Sequence, residues 1–509
     1  MSEASQALQK IARGTGIVFA GTVISMLLGF LSRAVIARYF STGEYGVFNL
    51  ALTVLNVVLV IVMLGFSNSL PREVAFYREK EPQKVADLTS TALIIVALNS
   101  LFWVGVLLLG ADELAGLFND DRLVSALRVV VFALPFWALT GVIIAISRGF
   151  GRVREMVYIQ NVLYPLIWLT IVLSLVLLRL PFTAVFWGYV MAQFLTFAVL
   201  LLETRRIGLI TFSLSVRREV AKELVLFSVP LMLVGILNFL MTWTDTLMLG
   251  HYKGSEVVGL YNAASPLARL IPVFLGSAGI LYAPIVTPLY AWGKIGEMGR
   301  VYRILTKWIF FLTLPLFALL FLFPEVAISF FFGQKYLAAA QALRILSAGF
   351  MFHTLLGLNG LSLLVIGQPK LNMIGDTFAV VSNVVLNLLL IPEYGMTGAA
   401  VATAVSYFVA NVFRSFWLYQ RTGIHPFGWS YVKPLVIGFF LLGLVMVSPL
   451  QVSNIWWAIL VLAAFFGVYI PLVLLSGSVD KEDVELILAI EKKLGVDLGI
   501  IKKVLKRFV

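Results

Sequence analysis

Uninterrupted apolar stretches dominate the chain, and polar positions gather in short intervals between them. A helix rises about 1.5 Å per residue, so about 20 apolar residues in a row reach across the hydrocarbon of a bilayer. Fourteen stretches meet that length, at roughly 14–37, 45–66, 88–110, 123–147, 156–178, 184–204, 224–249, 259–287, 304–323, 342–366, 371–391, 397–419, 432–448 and 455–475. They predict an all-α integral membrane protein with about 14 transmembrane helices. The spans take about 320 of the 509 residues, which leaves no room for a soluble domain. Function is expected inside the bundle.

Composition agrees: 61% of residues are apolar and 13% charged, against about 25% charged in a soluble domain, and the mean hydropathy is +0.98. The chain has no cysteine, and its three histidines, His251, His353 and His425, are scattered. A disulfide framework, a thiol nucleophile and a Cys- or HExxH-type zinc site are thereby excluded. Counted over alternate connections, basic residues number 26 on the side of the N-terminus and 5 on the other. That asymmetry predicts a multi-pass cell-membrane protein with both termini cytoplasmic. The formal charge of +12 is thus a topology signal, and no nucleic-acid partner is expected. The tail, 476–509, has apolar residues at near-helical spacing (Val484, Leu488, Leu494, Leu498, Ile501, Leu505, Phe508) and ends in Lys502, Lys503, Lys506 and Arg507. It is expected on the inner membrane surface among anionic lipids, with a solvated helix as the competing reading.

Two segments repeat. Arg33-AVIARYFSTGEYGVFNLA, ending at Ala51, aligns with Asp245-TLMLGHYKGSEVVGLYNAA, ending at Ala264, with one residue inserted after Tyr45/Val257. The alignment matches Phe40 to Tyr252, Glu44 to Glu256, Gly46 to Gly259, Phe48 to Tyr261, Asn49 to Asn262 and Ala51 to Ala264. Each segment bridges an odd span and the next even one, so the chain reads as two like-oriented six-helix lobes, 1–222 and 223–431, with two extra helices in 432–475. Parallel repeats of this kind place a substrate path between the lobes and permit alternating access.

The repeat, the EYGVFNLA pattern at 44–51 and IPEYGMTGAAVATAVSY at 391–407 resemble the polysaccharide-synthesis flippases of the multidrug/oligosaccharidyl-lipid/polysaccharide exporter superfamily. The resemblance implies translocation of a sugar linked to a polyprenyl phosphate or pyrophosphate. Membrane lipids and glycan-assembly enzymes would be its partners.

A charge at the bilayer centre costs about 2.5–3.5 kcal/mol on insertion scales, so each one needs a partner, a wet cavity or a task. Arg33 in the first span and Arg269 in the eighth lie on the two repeated hairpins. A guanidinium stays charged and holds two phosphate oxygens at once, which suits a pyrophosphate head group. Tyr45, Asn49, Tyr261 and Asn262 would add hydrogen bonds and stacking for sugar rings. Pairing of Arg33 with Asp245 is the competing reading, as is interhelical bonding for the asparagines and tyrosines. Asp245, Asn387 and Thr403 are expected near one depth, with Asn383 on the same helix face as Asn387, and the four form an all-oxygen set appropriate to Na⁺. Prolines 230, 266, 272 and 284 give the hairpin that holds Asp245 and Arg269 its bend points. Cation binding at Asp245, by Na⁺ or H⁺, would neutralise it and bias one conformation; simple interhelical packing competes. Arg128, Arg344 and Arg414, near span ends, are read as snorkelling to the interface. His353 is read as hydrogen-bonded structure and Asp376 as serving a helix N-terminus.

No Walker A sequence is present, so an ion gradient, the membrane potential or consumption of substrate outside would supply the energy. No other cofactor is expected. Multidrug efflux by the same superfamily is the alternative; export of cationic drugs would call for an acidic first lobe, whereas the first span carries Arg33. A membrane polymerase or ligase is disfavoured, since the longest outer connection, 324–341, offers Glu325 as its one carboxylate.

Overall fold

The structure, a computed structural model, describes residues 3–209, 217–478, 480 and 483, with side chains from residue 20 onward other than those of residues 234 and 281. Every regular element among the described residues is helical. Twelve helices are long and apolar enough to cross a membrane, and a bent pair, Val273–Ile280 with Tyr282–Ala291, makes a further candidate. The protein is an all-α, multi-pass membrane protein.

The count accords with the spans read from sequence because two long helices each contain a glycine break. Arg218–Ala268 turns at Gly254 (φ 81°, ψ 174°), and Pro369–Thr422 turns at Gly395 (φ 54°, ψ −130°). Both conformations belong to glycine, which has no Cβ to clash. Helix therefore continues beyond the apolar runs, right up to each break. Asp245 lies nine residues before Gly254 and Asn387 eight before Gly395, more than two turns in, deeper than apolar patterning implies.

The chain packs as two units. The described residues of Met1–Ala263 with Val384–Ala399 form the first, and those of Ala264–Asn383 with Ala400–Val509 form the second.

In the first unit, Ser41 opens the Thr42–Val62 helix with a capping box. Its Oγ accepts from the Glu44 amide (3.2 Å), and Glu44 Oε2 accepts from the Ser41 amide (2.8 Å), satisfying two amides that a helix start leaves open. Leu64 (φ 49°) and Gly65 (φ 80°) separate this helix from Phe66–Lys80. A Cβ on Gly65 would lie 2.4 Å from the Ser228 carbonyl oxygen, so the turn requires glycine.

In the second unit, the eighth span is not one helix. Helix ends at Ala268, residues 269–272 form turns, and Pro272 caps Val273–Ala291. This last helix bends by 48° between Ile280 and Tyr282. Pro284 explains the bend: its ring has no N–H and pushes against the carbonyl four residues back, that of Ile280. Arg269 thus occupies a break, where the apolar run places it mid-helix. The tenth span is also interrupted, at Gly357 (φ 68°), where a Cβ would lie 2.2 Å from Thr306 Oγ1. The connection 324–341 is itself mostly helical, with Pro324–Phe331 and a 3-10 turn at Gln334–Ala339. Tyr282, Val286, Met298, Tyr302, Leu363 and Leu418 share one core cluster, with the Tyr282 hydroxyl 2.7 Å from Ser362 Oγ. Lys307, 2% exposed, donates to Asp480 (2.7 Å) and Asp483 (2.6 Å). The amphipathic pattern expected beyond Asp483 lies outside the described residues.

Candidate functional site

The two repeated hairpins meet inside the first unit. Their helices cross at Gly46 and Gly259, where no side chain intervenes. The Tyr45 hydroxyl donates to the Asn262 carbonyl at 3.3 Å. The matched asparagines behave alike: Asn49 donates to the Tyr45 carbonyl (2.7 Å) and Asn262 to the Val258 carbonyl (3.0 Å), each one turn back. Asn262 also donates to Thr246 Oγ1 at 3.3 Å. Both are 4% exposed, so these bonds satisfy buried amides.

Asp245 is 3% exposed. Its carboxylate accepts from the Tyr261 hydroxyl at 2.5 Å and from Asn387 Nδ2 at 2.8 Å. These two donors serve the buried carboxyl, whose burial without hydrogen bonds would be costly. Asn383 and Thr403 belong to the second unit, where Asn383 Nδ2 donates to Thr403 Oγ1 at 3.1 Å. Among the described residues no three His, Asp or Glu gather as a metal cluster.

Arg33 is half-buried, and among the described residues it makes neither a hydrogen bond nor an ion pair, with Asp245 or any other group. Its charge acts on Tyr45, Tyr164 and Tyr189. Tyr189 accepts from Gln193 Nε2 (3.1 Å) and packs edge-on against Trp168, ring centroids 5.5 Å apart. Patterning passed over Tyr164, Tyr189 and Gln193; the signal available was Gln193 itself, a polar residue within the sixth span.

Arg269, in the second unit, donates from Nε to Ser265 Oγ (3.2 Å), and its guanidinium lies 5.9 Å from the Phe350 ring centre. A cavity of about 570 Å³ in the same unit is lined by His353, Asn359, Asn372, Asp376 and Arg414, with Pro272, Gly276 and Gly357. Arg414 does not snorkel. It is 8% exposed and pairs with Asp376, because its helix continues to Thr422 and holds the side chain below the surface. Arg128 and Arg344 pair near helix ends, with Asp112 at 2.7 Å and Glu325 at 3.5 Å. His353 Nδ1 lies 3.1 Å from Asn411 Oδ1.

At the far end of the first hairpin, Arg122 donates to Asp120 (2.7 Å) and Ser255 (3.1 Å), while Thr42 donates to Glu256 (3.5 Å). Burial pushes the Asp120 carboxyl up, but hydrogen bonds from Arg122 and Ser255 with the Arg122 charge outweigh it and hold it below the ordinary range.

A model of the family described as "Polysaccharide biosynthesis protein" matches residues 11–285, and the MatE model matches 230–389. The chain is 23% identical over 443 residues to the probable low-salt glycan biosynthesis flippase Agl15 of Haloferax volcanii, covering 85% of this chain and 89% of the relative. Among solved structures, it matches the lipid II flippase MurJ in an inward closed conformation with TM-score 0.74 and 16% identity, over 92% of this chain and 99% of that one. An inward-facing multidrug resistance transporter of the MATE family matches with TM-score 0.67 and 16% identity, over 78% and 94%. At these identities the structural likeness establishes the fold.

Proposed function

We propose that this chain, which belongs to the polysaccharide biosynthesis protein family, is a flippase that moves a polyprenyl-(pyro)phosphate-linked oligosaccharide from the inner to the outer leaflet. The observation that carries the reading is Arg33: a half-buried guanidinium within a membrane span, with no ion pair among the described residues and with its charge felt at Tyr45, Tyr164 and Tyr189. A membrane charge without a counter-ion marks a substrate path, and this one suits a phosphate beside sugar rings. Relatives named as a glycan biosynthesis flippase and a lipid II flippase support it. Arg269 is assigned to the head group on sequence grounds; Asn49, Tyr261 and Asn262, buried and hydrogen-bonded internally, would reach a sugar only by exchanging those bonds. Alternation of the two six-helix lobes would expose the site to each leaflet in turn.

Coupling is assigned to Asp245. With the Tyr261 hydroxyl, and Asn387 once its amide turns Oδ1 inward, it offers hard oxygen donors to a monovalent cation; Asn383 and Thr403 complete the proposed set on sequence grounds. An apolar cavity of about 550 Å³, lined by Leu441, Leu444, Trp457, Leu460 and Phe465, suits the lipid tail. Multidrug efflux is the second reading, favoured by the MatE match; Arg33 argues against cationic drugs. The deciding experiment follows labelled lipid-linked sugar in proteoliposomes. Delivery to the outer leaflet supports the flippase, and export of a dye without sugar delivery supports the pump.

A further inference from the structure

A second cationic site lies in the second unit, away from the residues assigned to substrate. A cavity of about 420 Å³ is lined by Arg300, Arg303, Lys307, Lys433, Trp429, Ser430 and Asp480, with Gly428 and Gly477. Among the described residues, four cations and one carboxylate line it. Lys307 is spoken for by Asp480 and Asp483, and Arg300 lies 4.0 Å from Glu297. Arg303 makes no ion pair among the described residues, and Lys433 donates only to the Ser476 carbonyl, at 2.8 Å. Among the described residues, two of the positive charges bordering the cavity thus have no carboxylate paired with them.

The backbone adds to this field. Gly428 precedes the Trp429–Val447 helix without a side-chain cap, so its first amides and the positive end of its dipole belong to the same wall.

Three span ends build the cavity: the first turns of Ile295–Leu322, the start of Trp429–Val447 and the residues just past Ile455–Leu475. That fixes its height at the boundary between hydrocarbon and water. Trp429, 78% exposed, is the residue type that settles at head-group level.

We propose that this cavity binds the phosphate head group of an anionic membrane phospholipid. The guanidinium of Arg303 and the ammonium of Lys433 take the phosphate oxygens, and Trp429 lies against the glycerol and upper acyl chain. The site is independent of the flippase reading: its ligand is a bulk lipid that stays in its leaflet.

The test is thermal unfolding of the full chain in mixed micelles. Phosphatidylglycerol is expected to raise Tm and phosphatidylcholine not to. In Arg303→Gln/Lys433→Gln the half-saturating phosphatidylglycerol concentration should rise about tenfold or more, as loss of charged hydrogen bonds implies. Arg303 is exposed, so Arg303→Gln alone gives the same readout if the double variant does not fold. An equal rise with phosphatidylcholine, an unchanged response in the variants, or full protection by inorganic phosphate in phosphatidylcholine micelles overturns the proposal, the last showing a free-anion site.

Discussion

Gly46 and Gly259, the glycines that the internal alignment pairs, stand in reciprocal contact. A Cβ on Gly46 would fall 1.7 Å from the Ser255 carbonyl oxygen, and one on Gly259 would fall 2.0 Å from that of Thr42. Each helix therefore uses its glycine to admit the other's backbone. Gly46→Ala or Gly259→Ala should destabilise by about 1–3 kcal/mol, the usual effect of overpacking. Gly105, within a span and with nothing within 4 Å of a Cβ, is the control: Gly105→Ala should gain about 0.5–1 kcal/mol in a helix interior. Thermal unfolding of the three variants in one detergent checks both signs.

Arg33 separates binding from stability. Since it has no ion pair among the described residues, Arg33→Gln should leave Tm nearly unchanged while transport of the phosphate-linked substrate falls about tenfold to a hundredfold, the loss of one or more charged hydrogen bonds. Arg33→Lys should recover part of the rate, as a point charge without the planar fork. Initial rates in proteoliposomes across substrate concentrations measure this; a large drop in Tm with normal transport would reassign Arg33 to structure.

Asp245→Asn is expected to abolish dependence of transport on Na⁺ or pH, whichever the wild type shows, because the amide has no negative charge for a bound cation or proton to neutralise. Tyr261→Phe removes one donor from the carboxylate but keeps the charge, and should shift the cation concentration for half-maximal rate without abolishing coupling. Flux measured with and without an imposed gradient distinguishes the two. Unchanged coupling in Asp245→Asn sinks the assignment.

Asp120 predicts a pH effect. Its carboxyl is held below the ordinary range, so the folded state binds its proton less readily than the unfolded state. Its contribution is full above the unfolded value of about 3.9 and disappears as pH falls through the lower folded value. The Tm difference between wild type and Asp120→Asn should therefore be constant near neutrality and shrink below about pH 4.

Much of this molecule is legible in its sequence because a bilayer demands apolar length. Spans such as 184–204 and 455–475 fall within helices Thr183–Arg206 and Ile455–Leu475. The equivalence of Gly46 and Gly259 was also readable, since an alignment detects identical residues wherever they pack, whereas their mutual contact is visible only in the structure. Hydropathy fails where geometry decides. Gly254 and Gly395 break helices within polar connections, where patterning sees only a loop, and Arg414 looks superficial until its helix is followed to Thr422. Arg33 can be singled out by its charge, but its neighbours Tyr164 and Tyr189 cannot, because a tyrosine in an apolar run carries no mark of what it faces.

The bend at Ile280 has a consequence of its own. Pro284 lacks the hydrogen atom that a straight helix would need at that rung, so the bend of 48° has its cause in the covalent structure of the chain itself. The two arms of this segment, Val273–Ile280 and Tyr282–Ala291, therefore point in different directions by reason of one residue of the chain.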